Sequence, residues 1–143
     1  MKNAASTSTH LVLDLLGPTT GTAQGVTLTL SADAAKVGWV DVAAGGTTTT
    51  LVTNVAFNLG AAPQILKAKA TGDVLQATVA QKNPTTPLAL NGTSLLRVAL
   101  DLKPGSPLGP VTFSAHATQC QVLGNASGNP TSITVSTGTL TAQ

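Results

Sequence analysis

The amino-acid sequence predicts an all-β chain folded as a jelly-roll or immunoglobulin-like β-sandwich, on three observations. Apolar and polar residues alternate with a period of two in run after run, as strands with one buried face require. Clusters of Gly, Pro, Thr and Asn cut those runs into short pieces. Hydrophobic residues make up 42% of the chain, whereas only 8% are charged and 2% aromatic. At a mean hydropathy of +0.28 the chain is too apolar for disorder by composition. Small aliphatic residues under threonine-rich faces suit stacked sheets instead. A chain of 143 residues can fill one core, so residues 9–143 are read as one domain behind a flexible leader, residues 1–8.

Each element is read from its own pattern. The leader is rich in Ala, Ser and Thr and lacks the apolar stretch of a signal peptide; it reads as a tether exposed once an export signal is gone. Leu11, Leu13 and Leu15 alternate with Val12, Asp14 and Leu16 in a first, deeply buried strand. After the GPTTGTAQG loop, Val26, Leu28 and Leu30 face one way and Thr27, Thr29 and Ser31 the other, the cleanest alternation of all. Asp33 is placed to cap the SADAAK turn, and Val37 to Val42 is a short strand containing Trp39. Leu51 to Leu59 follows, with Leu51, Val55, Phe57 and Leu59 on one face. Ile65 to Ala70 suits a helix or a strand and is taken as a strand because it is short and lies between breakers.

Leu75, Ala77 and Val79 form the next strand, and Leu88 to Leu90 a short edge. Leu96, Val98, Leu100 and Leu102 then alternate with Arg97, Ala99, Asp101 and Lys103. PGSPLGP interrupts, and Val111, Phe113 and Ala115 resume on one face, so the two strands are expected to form a central hairpin. Ile133 and Val135 open the last strand, in which Gly138 shifts the alternation to Leu140 as a bulge would. Eight to ten short strands at this spacing indicate a sandwich.

The formal charge is +2, with no basic stripe, so a nucleic-acid partner is not expected. No apolar run is long enough for a membrane helix. One cysteine, Cys120, rules out an intrachain disulfide.

Residues that carry chemistry are few and scattered. His116 and Cys120 are four apart, a spacing that joins metal ligands on a helix but not at the end of a strand. The five aspartates fall on separate segments, with no spacing that pairs two carboxylates as a glycosidase needs. His10 stands near Asp14, which could orient an imidazole, but no Gly-x-Ser-x-Gly accompanies it. Gly45-Gly46 precedes threonines without a P-loop lysine. No enzyme, no metal and no cofactor are therefore expected. Trp39 has two readings, as core filler or as an exposed stacking platform for a sugar. With no tyrosine and two phenylalanines, both on apolar faces, the sugar platform is the weaker.

The order of the segments resembles cohesin-type domains, bacterial β-sandwich modules that dock dockerins. GVTLTLSADAAKVG looks like their second strand and following loop, and LLRVALDLKPGSPLGPVTFS like their strand, Gly/Pro-rich turn and strand. ITVSTGTLTAQ is similar to their closing strand. The Tyr-Asp-Pro that such domains often carry after an early strand is missing, and NLGAAPQIL stands near that place. The resemblance implies a non-catalytic module of an exported bacterial surface protein or lipoprotein, located outside the cell or in its envelope. Its expected partner is a dockerin-like or other surface protein, met across a flat sheet face. Arg97, Asp101 and Lys103, on the polar side of one strand, would orient that partner. The alternatives are a polysaccharide held on Trp39, or a spacer that pairs its edge strands with a second copy.

Overall fold

The computed structural model describes residues 1–42, 51–53, 64–81, 86–116, 119–124, 129–137 and 139–142. Its elements are strands. In chain order they are β1 (His10–Leu16), β2 (Thr22–Ala23), β3 (Gly25–Ala32), β4 (Val37–Val40), β5 (Val52–Thr53) and β6 (Gln64–Thr71). There follow β7 (Val74–Gln81), β8 (Leu88–Ala89), β9 (Ser94–Leu102), β10 (Gly109–Ala115), β11 (Gln121–Leu123), β12 (Thr131–Ser132) and β13 (Thr139–Ala142). Most of the predicted strand from Leu51 to Leu59, with Val55 and Phe57, lies outside the described residues, as does Gly138 and the bulge expected there.

Two sheets face each other. The smaller is built around β9, with β1 on one edge and β4 and β5 on the other. The larger is centred on β3, which carries β7 and then β6 on one side. On its other side β10 and β11 share the same edge of β3, β10 along Leu30–Ala32 and β11 along Gly25–Thr27. Pleating sends alternate side chains into the space between the sheets. From the small sheet come Leu11, Leu13, Leu96, Val98 and Leu100; from the large one Val26, Leu28, Leu75, Ala77, Val79 and Val111, all buried. These positions are the apolar faces expected from the alternation.

The central hairpin is corrected. β9 and β10 belong to different sheets and share no ladder. The linker between them, residues 103–108, contains two prolines, Pro104 and Pro107, which cannot donate to a ladder, and Gly105 at a positive φ of 81°, and Gly109 (131°) opens β10. It turns a corner from one sheet to the other. A tight hairpin is formed instead by β6–β7, closed by Gly72-Asp73 between the paired residues Thr71 and Val74. Gly72 has φ 60°, which a side chain with a Cβ adopts only with strain. The closing strand is corrected too. Ile133 and Val135 are half-buried against the core, but they lie in irregular chain between β12 and β13.

One turn reading holds. Asp33 Oδ1 accepts a hydrogen bond from the Ala35 amide, closing the turn into β4. Residues 1–8 run beside β1: the Asn3 amide donates to Val12 O, the Asp14 amide donates to Met1 O, and Lys2 bridges Leu13.

Candidate functional site

The residues proposed from sequence as a docking strand lie on the outward side of the small sheet. Register explains what becomes of them. In the β1–β9 ladder Asp14 is opposite Arg97, Val12 opposite Ala99, and His10 opposite Asp101. Arg97 clasps Asp14 with two bonds, Nε to Oδ1 at 2.8 Å and Nη2 to Oδ2 at 3.2 Å. Asn3 Nδ2 donates to the same carboxylate at 2.7 Å. The Arg97 fork holds the Asp14 carboxyl below its ordinary pKa, against the opposing effect of burial. Asp101 pairs with His10, Nδ1 to Oδ1 at 2.5 Å, and Lys103 Nζ donates to Ala34 O. Val12, Ala99, Asp14 and His10 are buried although they point away from the core. The His10–Asp14 pairing that the spacing allows is not formed; each takes a β9 partner instead.

Trp39 lies on the inward side of β4, half-buried, with its ring 6.5 Å from that of Phe113 on the facing sheet and tilted by 55°. Its indole N–H donates to Asp73 O at 2.7 Å, tying β4 to the β6–β7 turn. His116 and Cys120 do not converge. His116 Nε2 lies 2.8 Å from Ser31 Oγ, whereas Cys120 is fully buried with Sγ 3.6 Å from Thr29 O. Among the described residues no three His, Cys, Asp or Glu side chains gather as a metal site.

The large sheet presents a different outward surface. Three cross-strand rows can be followed from the ladders. One runs Thr71, Val74, Ser31 and Ser114; the next Lys69, Gln76 and Thr29; the third Lys67, Thr78, Thr27 and Gln121. Lys67, Lys69, Thr71, Gln76 and Ser114 are exposed, and Thr27, Ser31, Val74 and Thr78 half-buried. Thr27 and Thr78 link their hydroxyls at 3.0 Å, which fixes both rotamers. Thr29 alone is buried in this surface, its hydroxyl donating to Gln119 O at 3.4 Å where the chain after β10 folds across it. The result is a flat, short-chained, hydroxyl-rich surface with two lysines near one margin. Sequence alternation marked Thr27, Thr29 and Ser31 as one face, but gave no sign that Lys67, Gln76 and Thr78 continue it.

The architecture is that of a cohesin-like β-sandwich. The chain is similar to the sixth cohesin of scaffoldin B from Acetivibrio cellulolyticus, solved in complex with a Cel5 dockerin mutant. That likeness has a TM-score of 0.65 and 14% sequence identity, covering 94% of this chain and 89% of that one. It is also similar to the seventh ScaB type I cohesin of Pseudobacteroides cellulosolvens, with a TM-score of 0.64, 12% identity, and coverage of 96% and 84%. No family model and no curated protein matches the sequence. Among the described residues no helix is long and apolar enough to cross a membrane.

Proposed function

We propose that this protein is a non-catalytic attachment module that binds a protein partner, of dockerin type or another surface protein, across the outward side of β10, β3, β7 and β6. The observation that carries this reading is the contrast in availability. Arg97, Asp101 and Lys103 are each engaged within the chain, whereas Lys67, Lys69, Gln76 and Ser114 are exposed on one flat sheet. Short hydroxyl side chains lose little rotamer entropy on docking. The two lysines favour a partner with acidic groups at the matching margin and act chiefly on orientation and association rate. A cohesin solved with its dockerin supports a protein as the ligand class. An exported home, outside the cell or in the envelope, belongs to the same proposal, as does the division into a leader and one sandwich domain from residue 9 onward.

Calorimetric titration against a panel of dockerin modules tests it, using wild type, a Lys67→Glu/Lys69→Glu variant and a Gln76→Ala/Thr78→Ala variant. Binding by wild type that both variants weaken supports the reading. Equal binding by all three removes this sheet from the interface. Failure to bind any dockerin, together with capture of polysaccharide by wild type, replaces the protein partner.

A further inference from the structure

A pocket of about 590 Å³ opens at the end of the small sheet where β1 begins, on the other sheet from the surface proposed above to dock a protein. Its walls include Thr7, Val12, Val42 and Leu102, and it contains the His10–Asp101 pair. A carboxylate only accepts hydrogen bonds, so at 2.5 Å from Asp101 Oδ1 it is His10 Nδ1 that carries the hydrogen. In the neutral ring Nε2 is then an acceptor. It is buried and meets no hydrogen-bond partner among the described residues, in a side chain only 10% exposed. A buried acceptor without a donor is costly to the fold, and a donor seated beside it removes that cost. Asp101 is the opposite case, a carboxylate with half of its side chain exposed at the mouth. Among the described residues no lysine or arginine lines the pocket.

We propose that this pocket is a binding site for an organic cation with N–H donors on a short aliphatic stem, the chemistry of a primary alkylammonium or alkylguanidinium group. The negative charge of Asp101 selects a cation, and its free lone pairs accept the head group's hydrogens. His10 Nε2 accepts a further one. Val12, Val42 and Leu102 cover the stem, the division of labour by which lysine and arginine side chains bury their methylenes and keep the charge at a polar end. An anion is repelled by Asp101, and a neutral alcohol gains only the apolar contact.

The probes are n-butylammonium and n-butylguanidinium, with n-butanol and butyrate as controls, titrated into the isotopically labelled chain and followed by amide chemical shifts. Saturable shifts of Thr7, His10 and Leu102 with the two cations are expected, with dissociation constants on the order of millimolar and weaker responses to both controls. Asp101→Asn should weaken cation binding at least tenfold while its remaining spectrum shows an intact fold. N-acetyl-lysine amide separates the sources: binding equal to butylammonium assigns a peptide side chain as an acceptable ligand, and its failure restricts the site to free amines. Absence of saturable shifts with either cation, equal response to butanol, or undiminished binding by Asp101→Asn overturns the proposal. All of these outcomes leave the outward surface of the large sheet, and its dockerin test, unaffected.

Discussion

The two sheets treat their outward side chains in opposite ways. On the small sheet Val12, Ala99, Asp14 and His10 point away from the core yet are buried, and the charges among them are matched across the β1–β9 ladder. On the large sheet the outward rows contain hydroxyls, two amides, one valine and two lysines, and most of those side chains reach solvent. A strand covered on both faces reads as a nearly unbroken apolar run, which is how β1 is written, LVLDLL. A strand with one wet face alternates, as β3 and β7 do. Tightly packed, internally paired surfaces are suited to holding the fold, and loosely packed polar ones to being recognised.

Three substitutions in or facing the small sheet test that division, in order of expected cost. Leu100 on β9 is completely buried, and Leu100→Ala should lower stability by about 2–5 kcal/mol, the range for a deleted core leucine. Thr78→Ala on the open surface should change it by less than about 0.5 kcal/mol. Urea midpoints that shift alike would erase the distinction between the sheets.

Arg97→Ala comes next. It strands the buried Asp14 carboxylate, and with the Arg97 side chain 28% exposed the cost should fall between the values for surface and buried pairs, about 2 kcal/mol. The same pair gives a pH signature. The Asp14 carboxyl is held below its ordinary value in the folded state, chiefly by the Arg97 fork. Its contribution is therefore complete above the unfolded carboxylate pKa of about 4 and is lost as pH falls through that value toward the lower folded one. Unfolding midpoints measured from pH 6 downward should drop below about pH 4 in wild type and drop less in Asp14→Asn. Parallel curves for the two proteins would show that another group governs acid unfolding.

Phe113→Ala should cost about 2 kcal/mol, less than the usual range for a buried aromatic, because the ring is half-buried against Trp39 at the margin of the core. Thr112→Ala, at an exposed neighbour, should be close to neutral. A loss for Phe113→Ala as large as that for Leu100→Ala would place the ring at the centre of the core.

Much of the fold was legible because burial repeats with the pleat. The inward sets on β1, β3, β7 and β9 are the residues that alternation selects. What alternation cannot supply is which strands pair. Whether Arg97 meets water or Asp14 depends on the register between strands about eighty residues apart in sequence, and nothing local to either strand fixes it. The same gap produced the hairpin error. Apolar faces on β9 and β10 match equally well whether the strands pair or face each other across the core. The proline-rich linker of residues 103–108, against the two-residue Gly72-Asp73 turn, was the local sign that one is a corner and the other a hairpin. The docking surface stayed hidden for a related reason: its lysines sit on β6 and its threonines on β3 and β7, joined only by the ladder.

The smallest effect on stability is expected where the largest effect on function is proposed. Lys67 and Lys69 are exposed on β6, which pairs with β7 alone among the described residues. Neither makes an ion pair among the described residues, so reversing both charges removes no fixed partner there and should shift the melting temperature little. Lysines on an outer strand also discourage pairing with a second copy, because ammonium groups resist the desolvation that edge-to-edge contact imposes. The double variant Lys67→Glu/Lys69→Glu therefore separates two roles. If the lysines orient an acidic partner, the variant should associate more slowly, with a difference that shrinks as salt screens the charges. If they serve only to keep the strand apart from its copies, partner binding should be unchanged, because glutamates resist burial as lysines do. Stopped-flow association at low and high salt, alongside the molar mass in solution, distinguishes these roles. An association rate equal to wild type at low salt would confine Lys67 and Lys69 to keeping the strand single.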